Sequence, residues 1–244
     1  MRKQKPNLLK LYLSYYFNKV FCILLAIILV LWMGILLLNA NIPLKLDDYI
    51  LNVDKYHKYY YEQSFFFLNM INGVIVAFLV GIEVTTESKF DTLFVSYIPR
   101  PKIVLTRICA NIILLLFIVS YEVILMNVVA TFVFPNFTYN INELLLIPFS
   151  MISLVILLVV GELITLILAN YFIPVLIYII HLVSIILMQN DDVYEIGKMF
   201  IPQINFIDVI KPVLDGNLVL YFGVISLFVM LIFIVYQKKD IKEL

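Results

Sequence analysis

Glycine is scarce in this sequence, with seven among 244 residues, and histidine and cysteine are scarcer, at two each. So few glycines leave no Gly-rich cradle for phosphate, and the G-x-x-x-x-G-K-[ST] loop is absent. His57 and His181 alone offer little from which to build a metal centre or a catalytic triad, and neither H-E-x-x-H nor G-x-S-x-G occurs. Cys22 and Cys109 stand alone near the starts of apolar runs, which predicts no structural disulfide and gives no metal-site spacing. Charge is also short, at 14% of residues against about 25% in an ordinary soluble domain.

What fills the chain instead is hydrocarbon: 64% of residues are hydrophobic and the mean hydropathy is +1.04. A transmembrane helix needs about 20 apolar residues, and six runs qualify, near residues 20–40, 65–82, 108–134, 148–169, 172–188 and 218–236. The fourth and fifth are nearly continuous. Taken as one helix of 41 residues they would measure about 60 Å, twice the hydrocarbon thickness. The stretch must turn back, and Asn170-Tyr171 with Pro174 is the corner. The fold expected is therefore an all-α polytopic membrane protein of six transmembrane helices forming one membrane domain over residues 1–244. The first run is too long and lacks the small-residue cleavage site of a signal peptide, so it is expected to remain.

Lysine and arginine set the orientation. With the N-terminus inside, Arg2, Lys3, Lys5, Lys10, Lys19, Lys89, Arg100, Lys102, Arg107, Lys238, Lys239 and Lys242 fall on the cytoplasmic side, which makes 12. Lys45, Lys55, Lys58, Lys198 and Lys211 fall on the other, which makes 5. The positive-inside bias predicts both termini in the cytoplasm of a cell-membrane protein. Between Pro6 and Lys19, Asn7, Lys10, Ser14 and Asn18 share one helical face, and Leu8, Leu11, Tyr12 and Tyr15 share another. That pattern suits an interfacial N-terminal helix or a plain extension of the first span. The outer loop Asn41–Ser64 carries Tyr56, Tyr59, Tyr60 and Tyr61 as an interfacial belt. The loop Gln189–Asn217 holds apolar stretches too short to cross, compatible with a re-entrant element.

Three ionisable residues fall inside the apolar runs: Glu122, Glu162 and His181. A charge at the bilayer centre costs roughly 2.5–3.5 kcal/mol on insertion scales, so each is expected to face protein, a partner or a polar path. Glu122 and His181 lie at similar depth. Three readings are open: a buried hydrogen bond, with Glu122 protonated or paired to His181; a polar lining for a substrate path; and a proton relay.

The most structured polar stretch joins the second and third runs. Glu83 and Glu87 lead into an amphipathic segment, Glu87 to Tyr97, with Phe90, Leu93, Phe94 and Tyr97 on one side. Pro99 and Pro101 follow, then Lys102 and Arg107. The order Glu87-x4-Thr92-Leu93-Phe94-x-Ser96-x-Ile98-Pro99-Arg100-x-Lys102-x4-Arg107 resembles the cytoplasmic loop of ABC-2-type permeases, the membrane subunits of ABC transporters. The whole plan is similar too, from N-terminal helix to basic C-terminus; Asp91 departs from it, standing where that family usually has Gly.

The resemblance implies a cytoplasmic coupling helix between spans 2 and 3 that docks on a separate ATP-binding subunit, with Glu83, Glu87, Phe90, Thr92, Leu93, Phe94, Arg100 and Lys102 as the docking residues. ATP and Mg would then belong to that partner, this chain having no cofactor and no enzymatic activity of its own. It further implies a second permease copy, the same or related, and export of a peptide, antimicrobial or other amphipathic or hydrophobic substrate. No nucleic acid is expected as a partner. The competing reading is an ion-gradient-driven transporter or channel using Glu122, Glu162 and His181. A membrane enzyme is disfavoured, since no catalytic residues cluster near one interface.

Overall fold

The computed structural model describes residues 8–16, 19–44, 53–94, 98–134, 141–168, 172–187, 203–207, 211–215 and 217–238. The chain is almost entirely helical: α1 (Leu8–Tyr16), α2 (Lys19–Leu44), α3 (Val53–Phe94), α4 (Arg100–Val133), a 3-10 turn (Ile141–Leu145) running into α5 (Leu146–Leu168), α6 (Ile173–Leu187) and α7 (Leu218–Lys238). Five of these, α2, α3, α4, α5 and α7, are long and apolar enough to cross a membrane. The one sheet among the described residues is a hairpin, β1 (Gln203–Ile207) antiparallel to β2 (Lys211–Asp215), with Gln203 opposite Asp215 and Ile207 opposite Lys211.

Of the six expected spans, five are matched by helices of spanning length among the described residues, and the fifth run is matched by the shorter α6. Its 15 residues make a rod of about 22 Å, short of the roughly 30 Å of hydrocarbon. The expected corner is where helix breaks: α5 stops at Leu168 and α6 resumes at Ile173, with Pro174 in its first turn, where a missing N–H does no harm. Residues 169–171, Asn170 and Tyr171 among them, lie outside the described residues.

The second helix is much longer than its apolar core. Nothing between Val53 and Phe94 breaks a helix except two tolerated glycines, so α3 runs unbroken for 42 residues, about 63 Å. The expected outer loop therefore contracts, and its tyrosines change role. Tyr60 and Tyr61 belong to the first turns of α3 and are wholly buried, against the reading of an interfacial belt; Tyr59 alone of the four is exposed. At the other end the expected separate coupling helix is the continuation of α3. Pro99 then stands at the N-cap of α4, with Pro101 in its first turn.

In the last loop, β1 and β2 pair and β2 packs near the 3-10 turn before α5. Residues 189–202 lie outside the described residues. In α1, Leu8 is buried and packs toward α4 with Leu9, Tyr12 and Leu13, while Lys10 and Ser14 face out. Asn7 and Asn18 lie outside the described residues. Cys22 and Cys109 are both free thiols.

The core lies where α2, α3, α4 and α5 meet, around Trp32, Leu68, Leu79, Leu115 and Leu154. Lipid tails are as apolar as leucine, so close packing rather than the hydrophobic effect holds such helices together. The glycines show where that matters. A Cβ on Gly73 would come within 2.5 Å of His181 Cδ2, one on Gly81 within 3.5 Å of Pro174, and one on Gly161 within 3.3 Å of Ile177. All three approaches are to α6, which seats itself against α3 and α5 through bare backbone.

Candidate functional site: buried polar groups along α3 and α4

Buried polar side chains collect at three levels along α4. Near its first residues, Arg107 is fully covered and its guanidinium grips Glu162 of α5: Nε donates to Oε1 at 3.0 Å, and Nη2 donates to the same oxygen. The ring of Tyr236 from α7 lies 5.8 Å from the guanidinium carbon. Three helices thus meet on one cation. A guanidinium suits this place because it forks onto a carboxylate and stacks on an aromatic face. Arg107 was expected as a flanking interfacial charge and Glu162 as a residue facing protein, a partner or a polar path; in the structure the two sit at matched depth on neighbouring helices and hold each other.

Midway along α4, Glu122 is fully buried and Asn72 of α3 donates through Nδ2 to its Oε2 at 2.8 Å. The indole of Trp32 on α2 points its Nε1 at the Glu122 backbone oxygen, 3.4 Å away. His181, the expected partner of Glu122, is engaged elsewhere: its Nε2 stands 3.3 Å from the backbone oxygen of Asn69, one turn before Asn72 on α3. The two depths match, but α3 lies between the two side chains. The Glu122–His181 pairing is therefore replaced by Glu122–Asn72 and His181–Asn69.

Toward the far end of α4 the tyrosines of α3 take over. Tyr60 donates its hydroxyl to the Met126 carbonyl at 2.9 Å. The Tyr61 hydroxyl stands 2.6 Å from Asn127 Oδ1 and 2.9 Å from Oε2 of Glu143, in the 3-10 turn. Asn127 in turn donates through Nδ2 to the Val123 carbonyl. Phe134 packs edge-on to Tyr60 and close to His57, closing this end. Beside it an open groove of about 280 Å³ is lined by Ile124, Asn127, Val128, Thr131, Phe132 and Leu144.

The expected docking residues fare differently. Lys102 is exposed at the start of α4. The backbone of Glu83, Glu87, Phe90, Thr92, Leu93 and Phe94 is helical, and Arg100 opens α4; the side chains of these seven, and Tyr97 as a whole, lie outside the described residues.

Asn72, Asn127 and Glu143 were not singled out from sequence, while Arg107 and Tyr61 were read in other roles. The signal for Arg107 was its position, two turns into α4, level with Glu162 near the end of α5. For Asn72 and Asn127 it was an amide within an otherwise apolar run.

Taken together, the buried groups make a seam of satisfied and half-satisfied polar contacts inside a bundle whose outer faces are apolar. Such residues inside membrane helices mark function or tight interhelical contacts. Comparison with protein-family models, with curated proteins and with solved structures finds no match to this chain.

Proposed function

We propose that this chain is the membrane permease subunit of an ATP-driven exporter. In this reading the end of α3 and the turn into α4 form the docking element for a separate cytoplasmic ATPase. The observation that carries it is the overhang of α3. Its apolar stretch ends at Gly81, while the helix continues thirteen residues to Phe94, about 20 Å, with Glu83, Glu87, Lys89 and Asp91 along it. A rigid helix leaving the apolar layer and closed by Pro99 and Pro101 suits contact with a soluble partner. The order of residues there is also what resembles the ABC-2 permease loop.

The finer topology belongs to the same proposal. α6 makes a sixth, thinner crossing, both termini lie in the cytoplasm, α1 rests at the interface, and the chain sits in the cell membrane. A second permease copy completes the path, since six spans leave little room for a private channel. The cargo is a peptide, an antimicrobial or another amphipathic or hydrophobic compound, in keeping with apolar walls.

The test is made on the full-length chain isolated from its own membranes in mild detergent. It should carry with it a vanadate-sensitive ATPase, and the F90A/L93A/F94A protein, present at equal level, should not. Equal ATPase retention by the triple variant would count against docking at this site. Export that persists after ATP depletion and stops with a protonophore would favour the second reading, a gradient-driven transporter. One observation supports that alternative: of its three residues, Glu162 is held by Arg107 and His181 faces a backbone oxygen, but Glu122 has only an amide beside it.

A further inference from the structure

Two oxygens at the middle of the bundle have an unusual relation. Glu122 Oε1 and Asn72 Oδ1 are both buried and neither accepts a hydrogen bond from the described residues, although their own side chains are joined through Asn72 Nδ2 and Glu122 Oε2. Ionised, Glu122 carries only acceptors, and could supply a hydrogen to neither its own Oε1 nor the Asn72 Oδ1 of the side chain it is joined to. A carboxylic acid carries one O–H, and one O–H is what this arrangement lacks. Placed on Oε1 and donated to Asn72 Oδ1, it would close an eight-membered acid–amide ring with the existing N–H···O bond and satisfy both atoms at once.

We infer that Glu122 and Asn72 form a proton-binding site: a neutral carboxylic acid paired with a primary amide across the α3–α4 seam. The occupant is a proton rather than a metal cation, because two oxygens from two side chains fall well short of the six or so that hard cations require. Among the described residues no counter-charge is paired with the carboxyl. Arg107 is fifteen residues earlier on α4, about 22 Å along the helix, and is bound to Glu162. His181 is turned to the Asn69 carbonyl, and Trp32 Nε1 reaches the Glu122 backbone rather than its side chain. A neutral pair is also the form that hydrocarbon tolerates, since an isolated carboxylate there would have to neutralise. The inference holds whether the chain works with an ATPase or with an ion gradient, because it concerns only what fills this seam.

Infrared spectroscopy tests it on the full-length protein in dodecyl maltoside, a detergent without a carbonyl group, at neutral pH. Wild-type protein grown with carboxyl-13C glutamate should show a protonated-carboxyl stretch that moves to lower frequency with the label. A component of that band should vanish in Glu122→Gln, persist in Glu162→Gln, and move to higher frequency in Asn72→Leu, where the acid loses its amide acceptor. The absence of any label-sensitive protonated band in the wild type would overturn the inference without recourse to a variant. A band unchanged in the Glu122→Gln protein would overturn it equally.

Discussion

Glu162 and Glu122 are buried in the same bundle, one turn of chemistry apart in their solutions. Glu162, near the end of α5, is held by the guanidinium of Arg107 with the Tyr236 ring alongside. Glu122, midway along α4, is held by the neutral amide of Asn72. The difference follows depth. Close to a helix end, a buried ion pair needs only a short excursion from water; at the centre, an amide partner avoids bringing in a second charge. A buried pair is costly to halve and cheap to replace as a whole, whereas a hydrogen-bonded amide costs less either way.

The largest effect should come from breaking the charged site. Arg107→Met leaves Glu162 buried without its cation and should cost about 3–5 kcal/mol, read as a drop in the thermal transition of the detergent-solubilised protein. The double variant Arg107→Met with Glu162→Met should recover most of that loss. A single variant as stable as wild type would show that the pair is solvated.

Next comes the packing that positions the amide side. Gly73→Ala drives a methyl into His181, and the overpacking should cost about 1–3 kcal/mol in the same measurement. Gly34→Ala, where nothing lies within 4 Å, serves as its control and should be neutral or slightly stabilising.

Glu122→Gln keeps the shape and an amide partner for Asn72, so its stability should stay within about 1 kcal/mol of wild type. Transport should nevertheless change, and unaltered export by this well-folded variant would remove Glu122 from the mechanism. The smallest effect belongs to an exposed pair. Lys58 and Glu62 lie one turn apart on α3 with 3.8 Å between charges, and Lys58→Ala should cost no more than about 0.5 kcal/mol.

Much of this architecture could be read from residue order. Hydropathy located the cores of all five long helices, and Pro174 with its neighbours marked the break after α5, because apolar length and proline act locally. Tyr60 and Tyr61 were misplaced for the opposite reason. An aromatic cluster at the edge of an apolar run looks the same whether it meets lipid headgroups or the Met126 carbonyl and Glu143, which arrive from 66 and 82 residues away. Glu122, Glu162 and His181 were found because they break an apolar pattern, but their partners depend on how helices face one another. Equal depth suggested Glu122 with His181, but each meets a different residue of α3, Asn72 and Asn69. By contrast, depth alone would have matched Arg107 to Glu162. The paired strands β1 and β2 escaped notice because two five-residue strands with Pro212 in one of them carry a weak periodic signal.

The unequal lengths of neighbouring helices bear on the lipid around them. The apolar part of α3 is 29 residues and that of α4 is 33, about 43 and 50 Å of rod, while α6 beside them measures about 22 Å. Long rods relieve their excess by tilting, but a short one draws the bilayer thinner around itself. In the proposed six-span topology the exposed face of α6, with Val175, Leu176, Ile179 and Ile180, would therefore sit in a dimple of compressed acyl chains. Bilayer thickness thus becomes a setting on this protein: short-chain lipids should favour the seat of α6 against Gly73 and Gly161, and thick, sterol-rich membranes should strain it.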